Sequence, residues 1–471
     1  MRRFIALLCA GLLSTSQSAA GYEPDVFGTA RGLANQASYD LGGSNLHCSS
    51  NAPLPERLRL EDAIERILCR DPSTQLAWAS AKAQAAQVGS SKAAYLPRLN
   101  GRLGANQAYN ELNYRDVPSR ENRSQRYAAD VELTWELFDF GRRSAALRNA
   151  QQLLLAANAS QDSALQRAFS LAAQAYYEAL AAQRSLEASR QVAELAAQNL
   201  EAANAKYNAG AAALSDRLQA QTALSQASLA QIRDEGTLRR TLGIIAIRMG
   251  LAPDTSLRLY DELSEQLDAT FATDIERLIV DAKRDHPGLL AAQARLRAAT
   301  ASVEESHAAG RPSLALTANL SRSTTHQSRE FSGDFRGHDR SIGLQLTVPL
   351  FEGFNRTYQI RNALARREAS VAELAELEQQ VSLDVWSSYQ SLSMETRNLT
   401  LTRELVDQAR QSLEVARGRY QSGVGIMVEL LNALSAYSSA EEQYIRALSN
   451  WQISRLRLAE SLGRLGFWLL Q

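Results

Sequence analysis

Hydrophobic residues change their spacing repeatedly along this chain, and the changes come in the same order in each half. From Leu58 to Ala94 the apolar positions recur at helical spacing, broken at Asp71-Pro72, where proline has no N–H to continue a helix. Two stacked helices are predicted there. Past Pro97 the period falls to two: Leu99, Gly101, Leu103 and Ala105 alternate with Asn100, Arg102, Gly104 and Asn106. A polar, arginine-rich stretch from Tyr109 to Arg126 reads as a loop. Beyond it Ala129, Val131, Leu133, Trp135 and Leu137 alternate with Asp130, Glu132, Thr134 and Glu136. From Arg143 the helical period returns and runs without proline to the turn at Gly210, on the order of 100 Å at 1.5 Å per residue.

The second half repeats the device. His286-Pro287 answers Asp71-Pro72, Pro312 answers Pro97, Leu350-Phe351-Glu352 answers Leu137-Phe138-Asp139, and Asn362-Ala363 answers Asn149-Ala150. Such matches mark an internal duplication. The chain therefore divides into a leader (1–20), an N-terminal arm (21–55), a first repeat (56–252), a Pro, Asp and Ser linker (253–272) and a second repeat (273–471). Strands are predicted at about 98–108 and 127–138 in the first repeat and at about 313–322 and 341–351 in the second.

All four strand segments are about ten residues long with helices on the same side, as a tilted transmembrane strand requires. A soluble core with two hairpins gives the same alternation over one strand and is the alternative reading. On the membrane reading, four strands cannot close a barrel, because the smallest have about eight and an open edge in lipid leaves backbone groups unpaired. Other copies of the chain must complete it.

The long helices turn back at two matching tips, about 207–216 and 420–429. Lys206-Tyr207 with Gly210, and Arg419-Tyr420 with Gly423, each place a glycine three residues past a tyrosine, and an acid, Asp216 or Glu429, follows. A glycine there supplies a left-handed helix end. Leu186, Ala193, Leu200 and Tyr207 fall on a seven-residue repeat, as do Leu399, Val406, Leu413 and Tyr420. Small residues between them, Ala196, Ala203, Ala409 and Ala416, allow close coiled-coil-like contact.

Composition narrows the class. Met1-Arg2-Arg3, the apolar run Phe4 to Leu13 and Ser18-Ala19-Ala20 form a Sec signal, so the mature chain is exported. Leu8 before Cys9 is too large for a lipobox. Lys plus Arg balances Asp plus Glu at 51 each, which argues against a nucleic-acid partner. Cys48 and Cys69 enter an oxidising compartment as either a structural disulfide or two free thiols. His47, His286, His307, His326 and His338 are scattered, with no metal-site spacing and no nucleophile motif. No phosphate-cradling loop is present, and no enzyme, metal or cofactor is expected.

The duplicated helix-Pro-strand-strand-helix unit, the Leu-Phe-Asp and Leu-Phe-Glu strand exits and the paired Tyr-x-x-Gly tips together resemble the TolC family of outer-membrane channel-tunnels. The resemblance covers essentially the whole mature chain. It implies a fold that is mainly α with a membrane β-barrel: a homotrimer with a twelve-stranded barrel in outer-membrane lipid, continuing into a periplasmic α-helical barrel. It also implies an exit duct joined by a periplasmic adaptor to an inner-membrane ABC transporter or other pump. The missing lipobox points to the type I protein-secretion branch, of the kind that exports the adenylate-cyclase toxin. A multidrug efflux channel is the alternative, and a pore-free periplasmic coiled-coil scaffold is the alternative of another class.

The resemblance also assigns candidate sites. The closed aperture is expected at Tyr420, Asp216 and Glu429, with Gly425 where the family has an arginine and Asn432 where it has an acid, so that latch is only partly present. In a trimer the acids form carboxylate rings that select cations; the alternative is that both are solvated first-turn residues favouring a helix N-terminus. The adaptor is expected to dock around Lys206, Tyr207, Gly210, Arg419, Tyr420 and Gly423.

Overall fold

A computed structural model describes residues 25–33, 54–112, 115, 120–261, 275–328 and 333–466. Proline and glycine positions cut the chain into the same elements twice. The first set is α1 (Leu60–Arg70), α2 (Pro72–Ala93), β1 (Arg98–Leu112), β2 (Arg120–Phe138), α3 (Arg142–Asn208) and α4 (Leu214–Arg248). The second is α5 (Ile275–Asp285), α6 (Pro287–Ala308), β3 (Ser313–Ser328), β4 (Gly333–Thr347), α7 (Asn355–Gln421) and α8 (Met427–Ser461). The duplication extends to length: α3 and α7 have 67 residues each, and α4 and α8 have 35 each.

Pro72 and Pro287 each open a helix, where the missing N–H costs nothing. The caps differ. Asp71 accepts from the backbone of Ser73 and Thr74, whereas His286 uses Nδ1 to accept from Gly288 N at 3.1 Å. Burial holds the His286 ring below its usual pKa, which keeps that nitrogen free to accept.

The four strands form one antiparallel sheet in the order β1-β2-β3-β4. Its register places Leu99, Leu133, Ala318 and Ile342 in one row, and Trp135, Leu316 and Leu344 in the next. This face is apolar and open: Ile342 is 78% exposed and Leu344 66%. The opposite face carries Arg102, Asp130 and Glu132, and Arg102 bridges to Glu132 at 3.3 Å. Greasy outside and polar inside is the pattern of a transmembrane barrel wall. Aromatic residues edge the apolar band at the helix end, where Phe138 packs edge-on against Phe140 at 4.7 Å and Phe351 against Phe354 at 5.5 Å.

The hairpins reach further than their alternation predicted. β1 and β2 keep pairing to Leu112↔Arg120, through much of the expected loop, and β3 and β4 pair to Gln327↔Gly333. Backbone pairing continues there with polar residues on both faces, so no period of two marks it. At its other end β4 stops at Thr347 rather than 351, because Pro349 has no N–H to extend a ladder.

An ion pair fixes sheet to helix. Arg143 and Asp139 are buried, 2.9 Å apart, and the guanidinium also donates to the carbonyls of Glu136 and Leu137 and stacks over Tyr95. The second repeat has the same pair as Glu352 and Arg356, at 3.2 Å. The sequence pointed to the Leu-Phe-acid motif but not to its arginine four residues on.

α3 and α7 run the length of the molecule; α2 then α4 line α3, and α6 then α8 lie between α3 and α7. The widest core lies midway, where α1 packs on α3 through Ile64, Ile67, Phe169, Tyr176 and Leu180, with Ile245 of α4 and Met249 just past its end. The Tyr176 hydroxyl donates towards the carbonyls of Leu58 and Tyr260, fastening the chain on either side of this core. Cys69, at the end of α1, is disulfide-bonded. Cys48 lies outside the described residues, as do the leader, most of the arm and most of the linker. Among the described residues, no helix is long and apolar enough to cross a membrane.

Candidate functional site at the hairpin tips

Two glycine-terminated helix ends meet at the far end from the sheet. At α3 the Gly210 N–H reaches Tyr207 O and the Ala211 N–H reaches Lys206 O, at 3.0 and 2.8 Å; at α7 Gly423 and Val424 repeat both bonds to Tyr420 and Arg419. This paired capping requires a left-handed residue, and Gly210 and Gly423 have φ of 73° and 84°. Both long helices therefore end in a left-handed glycine.

Lys206, from the first tip, places its ammonium 4.0 Å from the centre of the Tyr420 ring of the second and also donates to the Tyr420 carbonyl. A cation against an aromatic face and a helix-end carbonyl is doubly favourable. Tyr420 is 3% exposed, and its hydroxyl has no hydrogen-bond partner among the described residues. Burial raises the Tyr420 pKa, and the nearby negative charge of Asp216 raises it further. Lys206 and Tyr420 thus meet across the two hairpins, within the field of Asp216.

Glu429 takes another partner, a salt bridge from Arg419 Nε at 3.3 Å across its own turn. Both acids lie in the first turn of their helices, where the helix dipole favours them. Arg217 stacks over Tyr207 at 5.4 Å. Asn432, one turn past Glu429 and lining a groove with it, also lines a cleft of about 690 Å³ between α4 and α8, with Leu218, Gln219, Thr222 and Ser435. The cleft begins beside the tips, and Thr222, Ser435, Ser438 and Ser439 bring hydroxyls to it among Val192, Leu218 and Leu434.

Gly425 is a packing residue here. Its N–H donates to Arg419 O at 2.9 Å, and a Cβ on it would stand 3.0 Å from the Arg419 carbonyl carbon and the Tyr420 nitrogen. A side chain at this position must displace the last turn of α7. The glycine and the Arg419–Glu429 pair form one arrangement. Sequence reasoning did not find the Lys206–Tyr420 contact, because its partners are 214 positions apart and only the folded hairpins join them.

A sheet that is apolar outside and polar inside, set on long helices whose hairpins end in charged and aromatic tips, defines the subunit of an outer-membrane channel-tunnel. The model of the outer membrane efflux protein family matches residues 63–243 and 278–464, and the chain belongs to that family. Protein CyaE of Bordetella pertussis is 31% identical over 420 residues, covering 89% of this chain and 87% of the relative. Alkaline protease secretion protein AprF of Pseudomonas aeruginosa is 24% identical over 408 residues, covering 85% and 83%. The crystal structure of the outer membrane protein VceC of Vibrio cholerae matches with a TM-score of 0.70 at 20% identity, over 86% of this chain and 96% of that one, a likeness of fold. The chain is an outer-membrane protein with a large periplasmic helical part, in a family of channels rather than enzymes.

Proposed function

We propose that three copies of this chain form the outer-membrane exit duct of a tripartite export machine, with an inner-membrane pump and a periplasmic adaptor. The observation that carries this reading is the continuity of one chain from a lipid-facing, polar-lined sheet into helices on the order of 100 Å long. Such a wall, closed by threefold repetition, encloses an aqueous path. The tips supply the aperture and the docking surface: Lys206 meets Tyr420 where the charge of Asp216 is felt, and the cleft from Leu218 to Asn432 is open to an incoming helix. Cys48 is the partner assigned to the disulfide-bonded Cys69.

Protein secretion is the cargo class we assign. A secretion protein among the relatives supports it. The family's own description favours efflux as the second reading. Deleting the chain's gene and assaying both a secreted polypeptide and drug accumulation separates the two. Loss of the polypeptide from the medium with unchanged drug tolerance supports secretion; the converse supports efflux. Failure of the purified protein to conduct ions in a planar bilayer overturns the duct itself.

A further inference from the structure

The outward face of the sheet does not stay apolar to its end. Above the row of Val131, Leu320 and Arg340 comes the row of Ala129, Arg322 and His338, and above that the row of Tyr127, Thr324 and Arg336. Alternation places Arg322, Arg336 and Arg340 on the same face as Leu316, Leu320, Ile342 and Leu344, and all three arginines are exposed. Diagonal neighbours on adjacent strands lie about 7–8 Å apart, so Arg340 adjoins Arg322 and Arg322 adjoins Arg336.

Like charges so placed repel unless an anion lies among them. In these rows the acids occupy the other face: Asp130 and Asp339 both pair with Ser321, one step out of phase with the arginines. The next acidic position along β4, Asp334, pairs with His326 a row further out. Among the described residues, none of the three arginines has a side-chain hydrogen bond or ion pair. Directly below them Leu320, Ile342 and Leu344 are 52%, 78% and 66% exposed.

We infer that Arg322, Arg336 and Arg340 form a binding site, one per subunit, for the phosphate groups of an anionic glycolipid in the outer leaflet. A guanidinium can pair two donors with a phosphate, and the apolar band beneath is placed to take the acyl chains. The order along β3 and β4, apolar then basic, is the order of chains then phosphates met on moving outward through that leaflet. The site rests on the outer-membrane placement of the sheet and is independent of the cargo.

The test uses the full-length trimer and phosphatidylcholine vesicles carrying diphosphoryl lipid A, with phosphate-free lipid A as the comparison and native mass spectrometry as the readout. The wild-type trimer should retain the phosphorylated form selectively. Each basic residue beside an anionic lipid contributes about fivefold in affinity, so the combined Arg322→Gln, Arg336→Gln and Arg340→Gln variant should bind about a hundredfold more weakly. Its trimer is verified first by heat-modifiable mobility, and the corresponding lysine variant should keep most of the binding. Arg102→Gln, on the inner face, should change nothing. Equal retention of phosphate-free lipid A by the wild type, full retention by the glutamine variant, or displacement by inorganic phosphate at matched concentration would each overturn the assignment; the last would make this a free-anion site. Because the wild-type comparison needs no variant, the answer does not depend on how the variant folds. Bilayer conductance, which tests the duct, is read separately.

Discussion

Glycine sets what the tip residues can do. Gly210 and Gly423 were legible in the sequence because a left-handed helix end selects glycine, whereas Gly425 looked like a lost arginine and is a close-packing position. Gly425→Arg should therefore not rebuild a latch. Its Cβ has to displace the backbone of Arg419 and Tyr420, so limited proteolysis should cut the tip faster, while Gly425→Ala gives a milder version of the same effect. The acids also separate once their partners are known. Glu429 is already paired with Arg419, while the charge of Asp216 is felt at Tyr420, so Asp216→Asn should lower cation preference in bilayer recordings more than Glu429→Gln does. Equal shifts from the two variants would mean that the Arg419 pair is absent in the assembled tunnel. Lys206→Met keeps the apolar stem and removes the charge, which contributes about 0.5–2 kcal/mol against an aromatic ring. Single-channel conductance should rise as the hairpins separate; an unchanged value removes Lys206 from the closed state.

Period and punctuation carried most of the element-scale information. The prolines at 72, 97, 287 and 312 marked where helices begin or strands take over, and the seven-residue spacing marked the long helices. Polar strand extensions were invisible, since backbone pairing leaves no trace in side-chain alternation. So was the buried Arg143–Asp139 pair, whose members look like ordinary surface charges until Tyr95 and the strand carbonyls close around them. Removing one partner of a buried pair costs about 3–5 kcal/mol. Arg143→Met should therefore lower the yield of assembled protein, more than Arg356→Met does, since Glu352 is 41% exposed and Asp139 only 8%. The strand faces give a cleaner contrast. Leu344→Arg meets lipid near the midplane at about 2–4 kcal/mol per chain, whereas Thr347→Arg lies on the inner face at the barrel's rim. Gel mobility of unheated samples should show trimer lost in the first and kept in the second; equal yields would sink the barrel assignment.

At the scale of the whole molecule, one chain is visibly unfinished. β1 and β4 are both edges of the four-stranded sheet, and an unpaired edge cannot lie in hydrocarbon. The helices leave a matching gap: α4 exposes Leu229, Ile232 and Ile247 at 60–65%, while α7 exposes Leu383, Trp386 and Leu401 at 48–63%. Within the chain α4 packs chiefly on α3 and α7 chiefly on α8, and both stripes are left open. In the proposed threefold assembly, joining β4 to the next copy's β1 would also bring α7 against the next copy's α4. A single operation would thus close the sheet and cover both stripes. Burying one such aliphatic side chain is worth about 1.5–3 kcal/mol, and every substitution acts at three seams. Ile232→Lys, remote from both sheet and tips, should consequently release monomers in mild detergent although the sheet is untouched. Leu401→Lys on the facing stripe should do the same. The readout is oligomeric state by multi-angle light scattering. Trimers that survive both lysine variants would mean that the sheet alone holds the copies together and that the helical stripes are covered by something other than a second copy of this chain.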